Sequence, residues 1–267
     1  MTQDTRPLVR VVAGIVLNDQ GEYLLSFRPE GKPYAGYWEF AGGKVEAGEG
    51  ELQALQREFA EELGIAILRA TPWLTKVHSY EHAHVHLRFF WVNAADWSGE
   101  LQAKEGQTWS WQKAGDFTVS PMLPANGPLL KALSVPRVLQ GRLKTGLYGE
   151  NAMGEYRVAP YDLAEPPHRH ILISEQRLRQ IGKMPEADSV WVVIQTAAQW
   201  PRIQDADVAV WQVQTEQAAR EVAAVLVQGV SLPLVVAAAP DWAARCRDAW
   251  LAAGAHAVLL DDETEAV

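Results

Sequence analysis

Residues 39–65 read Glu-Phe-Ala-Gly-Gly-Lys-Val-Glu-Ala-Gly-Glu-Gly-Glu-Leu-Gln-Ala-Leu-Gln-Arg-Glu-Phe-Ala-Glu-Glu-Leu-Gly-Ile, a glycine-rich loop running into an acidic stretch. Leu52, Leu55, Phe59 and Leu63 recur at helical spacing, which predicts a helix over 51–63 with Gly64 as its stop. At about 100° per residue, Glu58, Glu61 and Glu62 share one face beside that apolar stripe. Like charges so spaced repel by about 0.2–0.5 kcal/mol per pair, a cost that a counter-ion removes. Carboxylate oxygens, with water and phosphate completing the shell, suit Mg²⁺ or Mn²⁺ rather than a soft metal. Gly42 and Gly43 let the backbone come close enough for a loop carbonyl to join them. Three glutamates alone are better described as a solvated helix face; it is the loop and helix together that favour a cation.

Around this segment the first half alternates loops with β-rich runs at 8–16, 22–27, 75–81 and 84–93. The chain has 267 residues, 48% of them hydrophobic and 21% charged, enough for one large domain or two modest ones. Its formal net charge is −9, with 12 Lys plus Arg against 16 Asp plus Glu in residues 1–135 and 12 against 17 in 136–267. Diffuse acidity of this kind argues against binding duplex nucleic acid or anionic membranes, both of which need clustered cations. The single cysteine, Cys246, excludes an internal disulfide framework and fits a reducing cytoplasm. The apolar run 8–17 is broken by Arg10 and is too short for a signal-peptide core or a membrane span. The longer run 222–239, interrupted by Gln228, Gly229, Ser231 and Pro233, reads as the end of a helix, a turn and a buried strand.

The loop and helix resemble the Nudix hydrolase box, with Gly43, Glu49, Arg57, Glu58, Phe59, Glu61, Glu62, Gly64 and Ile65 at its constrained positions. That resemblance implies an α/β/α sandwich with a mixed sheet over residues 1–135. It also implies that Glu58, Glu61 and Glu62 hold divalent metal with the Gly42 carbonyl, that Glu58 doubles as base, that Arg57 orients a glutamate and that Glu49 supports the loop. The chemistry implied is hydrolysis of a diphosphate, in which metal neutralises phosphate oxygens and lowers the pKa of the attacking water. A polyphosphate arriving as its metal complex explains how an acidic protein would take an anionic substrate.

Three further stretches are similar to the MutT branch of that family, which acts on oxidised purine nucleoside triphosphates such as 8-oxo-dGTP. Trp38-Glu39-Phe40 precedes the glycines, with Ala41 where the branch has proline; Lys104-Glu105-Gly106-Gln107 offers Glu105 as a further metal ligand or base; and Pro124-Ala125-Asn126-Gly127-Pro128 offers Asn126 to read the purine edge. An amide presents one donor and one acceptor side, matching the altered edge of an oxidised purine. Arg28 corresponds to an arginine near the base, and Phe40 would supply an apolar wall. Ala83 stands where the branch has a second arginine, in a run whose His82, His84 and His86 share a strand face and invite either a zinc reading or a polar-strand reading. The rival readings are a Nudix hydrolase for a dinucleotide or ADP-ribose, and a nucleotide-sensing module without turnover.

Past Lys131 the scatter of Pro136, Gly141, Gly146, Gly149, Gly154, Pro160, Pro166 and Pro167 predicts an irregular linker over 136–167. Beyond it, apolar runs at 171–174, 190–195, 208–213, 234–238 and 257–260 alternate with helices at 215–228 and 241–253, a smaller parallel α/β unit over 168–267. Over 232–260 it is similar to part of a thiamine-phosphate-synthase-like (TenI-type) barrel, but 235–240 lacks phosphate-cradling glycines and about 100 residues fall short of the 200 or more of a closed barrel. The expectation is a reduced, non-catalytic appendage, with homodimer formation as its candidate role.

Overall fold

The computed structural model describes residues 6–81, 83–165 and 169–261. The chain divides into two compact units, Met1–Leu133 and Ser134–Val267. Among the described residues no helix is long and apolar enough to cross a membrane.

In the first unit the strands are β1 (Leu8–Val16), β2 (Tyr23–Phe27), β3 (Trp38–Glu39), β4 (Gly42–Lys44), β5 (Ala66–Ile67), β6 (Thr71–Ser79), β7 (His84–Val92), β8 (Trp97–Ser98) and β9 (Thr108–Gln112). The helices are α1 (Glu51–Glu62) and α2 (Gly127–Leu133). A mixed sheet runs β4-β1-β7-β6, with β1 parallel to β7, and β2 joins β3 and β9 in a second sheet. β6 begins earlier than the sequence pattern indicates, because Pro72 sits beside a register shift that masks the strand's alternation. Leu55, Phe59 and Leu63 are buried against Val12, Val16, Phe90 and Val92, so α1 lies on the sheet through them; Leu52, expected in the same stripe, is 40% exposed, and the Glu58 and Glu62 side chains are largely covered while Glu61 is exposed. The helix ends at Leu63, followed by Gly64 at φ +68°.

The second unit carries β10 (Gln140–Arg142), β11 (Gly146–Asn151), β12 (Gly154–Pro160), β13 (His170–Ser174), β14 (Ser189–Ile194), β15 (Val208–Val213), β16 (Leu234–Ala238) and β17 (Ala257–Leu260). Its helices are α3 (Glu175–Ile181), α4 (Glu216–Gln228) and α5 (Pro240–Ala252), with a 3-10 segment at Ala197–Arg202. These strands form one eight-stranded sheet in chain order, antiparallel through β12 and parallel from β12 to β17. Residues of β10 and β17 come within 8 Å between Cα atoms, so the sheet nearly closes on itself.

Two expectations change here. The segment expected as an irregular linker, 136–167, contains three strands of this sheet; its glycines mark the turns and crossings of antiparallel hairpins rather than a loose connection. The length argument against a barrel assumed a helix after every strand, whereas β10 to β12 follow one another through short turns, which lets eight strands fit in little more than half the usual chain. The near-barrel is filled by alternate residues such as Tyr156, Val158, Leu172, Trp191, Val193, Val210, Val235 and Leu259, a packed core rather than a channel.

Candidate active site

Arg57 organises the loop and helix. Its Nε and Nη2 donate to the two oxygens of Glu49 at 3.0 Å each, Nη1 donates to Glu58 at 2.8 Å and to Glu61 at 3.2 Å, and Nη2 also donates to the Lys44 carbonyl at 2.9 Å. A rigid guanidinium fork with several donors can hold three carboxylates and a loop carbonyl at once, which a lysine could not. These bonds hold the guanidinium firmly protonated, first through Glu49 and then Glu58, and the same Arg57 bond keeps Glu49 below the usual carboxylate range.

Glu58 rests against the loop at Gly43, where a Cβ would overlap its carboxylate; at Gly42, with φ +152°, a Cβ would strike the Val12 carbonyl. Gly42 is therefore required by its close approach to the β1 backbone, whereas a side chain at Gly43 would displace the Glu58 carboxylate.

The far end of α1 is capped by the loop 102–105. Gln102 N donates to the Leu63 carbonyl at 2.9 Å, Lys104 N to that of Glu62 at 3.2 Å, and Lys104 Nζ to that of Ala60 at 3.1 Å. These bonds satisfy helix-end carbonyls that have no partner within the helix, and they bring the next residue, Glu105, beside Glu62. Lys32, from the loop after β2, bridges the pair, with Nζ at 3.0 Å from Glu62 and 2.7 Å from Glu105. Burial pushes Glu62 above its ordinary value, Glu58 and Glu105 add to the effect, and Lys32 opposes it. Burial lowers Lys32, but its bonds to Glu105 and Glu62 outweigh that and leave it raised.

A second charged pair lies at β3. Arg28 Nη1 is 2.5 Å from each oxygen of Glu39, and its Nε donates to the Pro33 carbonyl at 2.8 Å. Burial pushes Glu39 up to about 7 against the pull of Arg28, with Glu62 contributing in the same direction as burial. The segment leading to α2 is pinned to the same strand, because Trp38 N donates to the Pro121 carbonyl and Leu123 N to the Trp38 carbonyl, both at 2.8 Å. Asn126, at 2% exposure, directly precedes α2.

The structure thus gathers Glu49, Arg57, Glu58, Glu61, Glu62 and Glu105 around one end of the sheet, with Gly42 and Gly43 beneath them and Gly64 behind. Arg28 faces Glu39. Phe40, expected as an apolar wall, is 2% exposed, as Asn126 is, and packs edge-on to Phe89 at 6.4 Å. In the histidine run, His84 Nδ1 lies 2.8 Å from Ser79 Oγ, while His82 falls outside the described residues. Sequence reasoning passed over Lys32 and did not assign Glu39 a site role; Lys32 lies 30 positions from Glu62, and no local spacing announces their contact.

Among the described residues no three His, Cys, Asp or Glu side chains converge as they stand into a cage for an ion, and Arg57 and Lys32 pair with the carboxylates. The donors are nevertheless all oxygen, and several carboxylates crowd together around the raised Glu62, which is the chemistry that fits a hard divalent cation.

Residues 7–133 match the family described as NUDIX domain. An 8-oxo-dGTP diphosphatase of Haemophilus influenzae is 37% identical over 128 residues, 48% of this chain and 93% of that protein. A CTP pyrophosphohydrolase of Escherichia coli K12 is 39% identical over 130 residues, 49% of this chain and 94% of that protein. The 8-oxo-dGTP diphosphatase of the same organism is 31% identical over 125 residues, 47% and 95% respectively. The chain belongs to the Nudix hydrolase family through its first unit, and these three alignments take up nearly the whole of each relative but only about half of this chain.

Proposed function

We propose that the first unit hydrolyses oxidised purine nucleoside triphosphates of the 8-oxo-dGTP type to the monophosphate and pyrophosphate, in a divalent-metal-dependent reaction that cleanses the nucleotide pool. The single observation that carries this reading is the carboxylate cluster of Glu58, Glu61, Glu62 and Glu105, assembled by Arg57, Lys32 and the glycine loop. Relatives named 8-oxo-dGTP diphosphatase support the substrate class.

Glu58, Glu61, Glu62 and Glu105, with the Gly42 carbonyl, would hold Mg²⁺ or Mn²⁺. When bound, the metal supplies charge neutralisation on the phosphate oxygens and an acidified water. Glu58, held against Gly43 at a fixed position, takes the proton from the attacking water. Arg57 fixes the direction of Glu58 and Glu61, so both carboxylates are oriented before substrate arrives. Lys32 offers a cation to phosphate once it leaves Glu62 and Glu105. Asn126 would read the oxidised purine edge, and Arg28, held by Glu39, would sit beside the base.

The relative named CTP pyrophosphohydrolase favours a second reading, a pyrimidine nucleoside triphosphate with the same leaving pyrophosphate. Pyrophosphate release from 8-oxo-dGTP, dGTP and CTP with Mg²⁺ separates the two. We expect kcat/KM highest for 8-oxo-dGTP and lowered about 10²–10⁴-fold by Glu58→Gln. Preference for CTP would select the second reading, and an undiminished rate in Glu58→Gln would refute both.

A further inference from the structure

The second unit has a polar site of its own. Ser189 and His256 are buried at the amino ends of β14 and β17, and a second set of buried polar side chains stands at the carboxyl ends of the parallel strands: Gln212 at 2% exposure, Asp261 at 3% and Glu175 at 3%. This second set forms one hydrogen-bonded chain. Gln212 Nε2 donates to Asp261 at 3.3 Å, Gln195 Nε2 to Gln212 at 2.8 Å, Gln195 N to the Gln199 side-chain oxygen at 2.7 Å, and Gln199 Nε2 to Glu175 at 3.1 Å. Glu175 also holds two cations, with Arg202 Nη1 at 3.2 Å and Arg179 Nε at 3.9 Å from its Oε1.

A cleft of about 620 Å³ opens over this chain, between α3 and the 3-10 segment after β14. Gln176, Gln180, Thr196 and Gln199 line it with both arginines. Two buried carboxylates are an expensive way to stabilise a core, since packed apolar residues do as well or better. Glu175 instead works as a positioning residue that turns two guanidiniums toward one opening. Its lining carries one more positive than negative charge in a unit that is acidic overall. In parallel α/β sheets, ligands bind outside the carboxyl ends of the strands, which is where this cleft lies. Residues 235–240, which the structure places in β16 and its exit to α5, do not line it.

We infer that this cleft binds a small phosphorylated sugar or polyol. The arginines take the phosphate, and the glutamine amides and Thr196 hydroxyl take the hydroxyl groups. No aromatic side chain is among its described lining residues, which disfavours a flat base.

Calorimetry on the full chain tests this with ribose 5-phosphate, ribose and inorganic phosphate as probes. Binding of ribose 5-phosphate at about millimolar affinity or tighter is expected, with either fragment weaker by about tenfold. Arg179→Gln, whose side chain is mostly exposed, should weaken it about fivefold or more, and Gln176→Ala should weaken it less, with both variants unfolding like the parent and hydrolysing nucleotide at its rate. No heat with ribose 5-phosphate, equal heats with inorganic phosphate, or indifference to Arg179→Gln would overturn the inference, whatever the first unit is found to hydrolyse.

Discussion

Both units bury carboxylates, and they treat them in opposite ways. In the first unit Glu62 and Glu39 stand among other acids at a surface cluster, where burial and like charge raise both and single cations only partly relieve them. In the second, Asp261 and Glu175 are tied into a continuous chain of amides and arginines. The first arrangement stores an appetite for positive charge, as a reaction on polyphosphate requires. The second satisfies its acids internally and turns the surplus cation outward, as recognition of an anion requires. The acids of the two units therefore differ in which partners the fold brings to them.

The largest effect that sharpens this contrast lies in the second core. Trp191 is fully buried, and its Nε1 donates to Ser189 Oγ at 3.2 Å. Trp191→Ala should cost about 3–5 kcal/mol in denaturant unfolding of that unit while nucleotide hydrolysis persists; loss of hydrolysis under conditions where the first unit remains folded would break the division of labour.

Next is a pH effect confined to the same unit. His256 is fully buried with Nε2 at 3.0 Å from the Val135 carbonyl, and burial lowers it to about 4. The depressed value means that stability is fully present above about 6.5 and is lost as pH falls toward 4, by about 3 kcal/mol in all. Denaturation followed at pH 7 and pH 4.5 should show that loss in the parent and a flattened dependence in His256→Gln.

In the first unit, Gly43→Ala should reduce turnover about 10²-fold by displacing Glu58, with a small change in melting temperature. A mutant as active as the parent would show that the loop does not set the carboxylate's position. The smallest effect is expected for Lys32→Gln, which removes the cation now bridging Glu62 and Glu105. Calorimetric Mg²⁺ affinity should rise about three- to tenfold, and weaker binding would show that Lys32 supports the cluster rather than competes for it.

The acidic helix α1 was legible because its information is local. The stripe of Leu55, Phe59 and Leu63, the stop at Gly64 and the face shared by Glu58, Glu61 and Glu62 all follow from a 3.6-residue period within one short segment. The parallel strands β15, β16 and β17 were legible for a similar reason, as nearly continuous apolar runs between helices, broken only by Gln212 in β15. The hairpins β10 to β12 were not, because their strands are short, half exposed and full of glycine, and only pairing with neighbours makes such segments strands.

By itself the amino-acid sequence determined the acidic helix, its glycine loop and the family they mark, because side-chain periodicity and backbone freedom are properties of neighbouring residues. Tertiary structure alone decided that Lys32 would stand between Glu62 and Glu105, that Arg28 would face Glu39, and that Glu175 and Asp261 would join one chain of amides. Those contacts join residues 11 to 73 positions apart in the first unit and 4 to 49 apart in the second. Their formation rests on how sheets pair and close, a physical outcome set by the packing of the whole unit rather than by any single stretch of it.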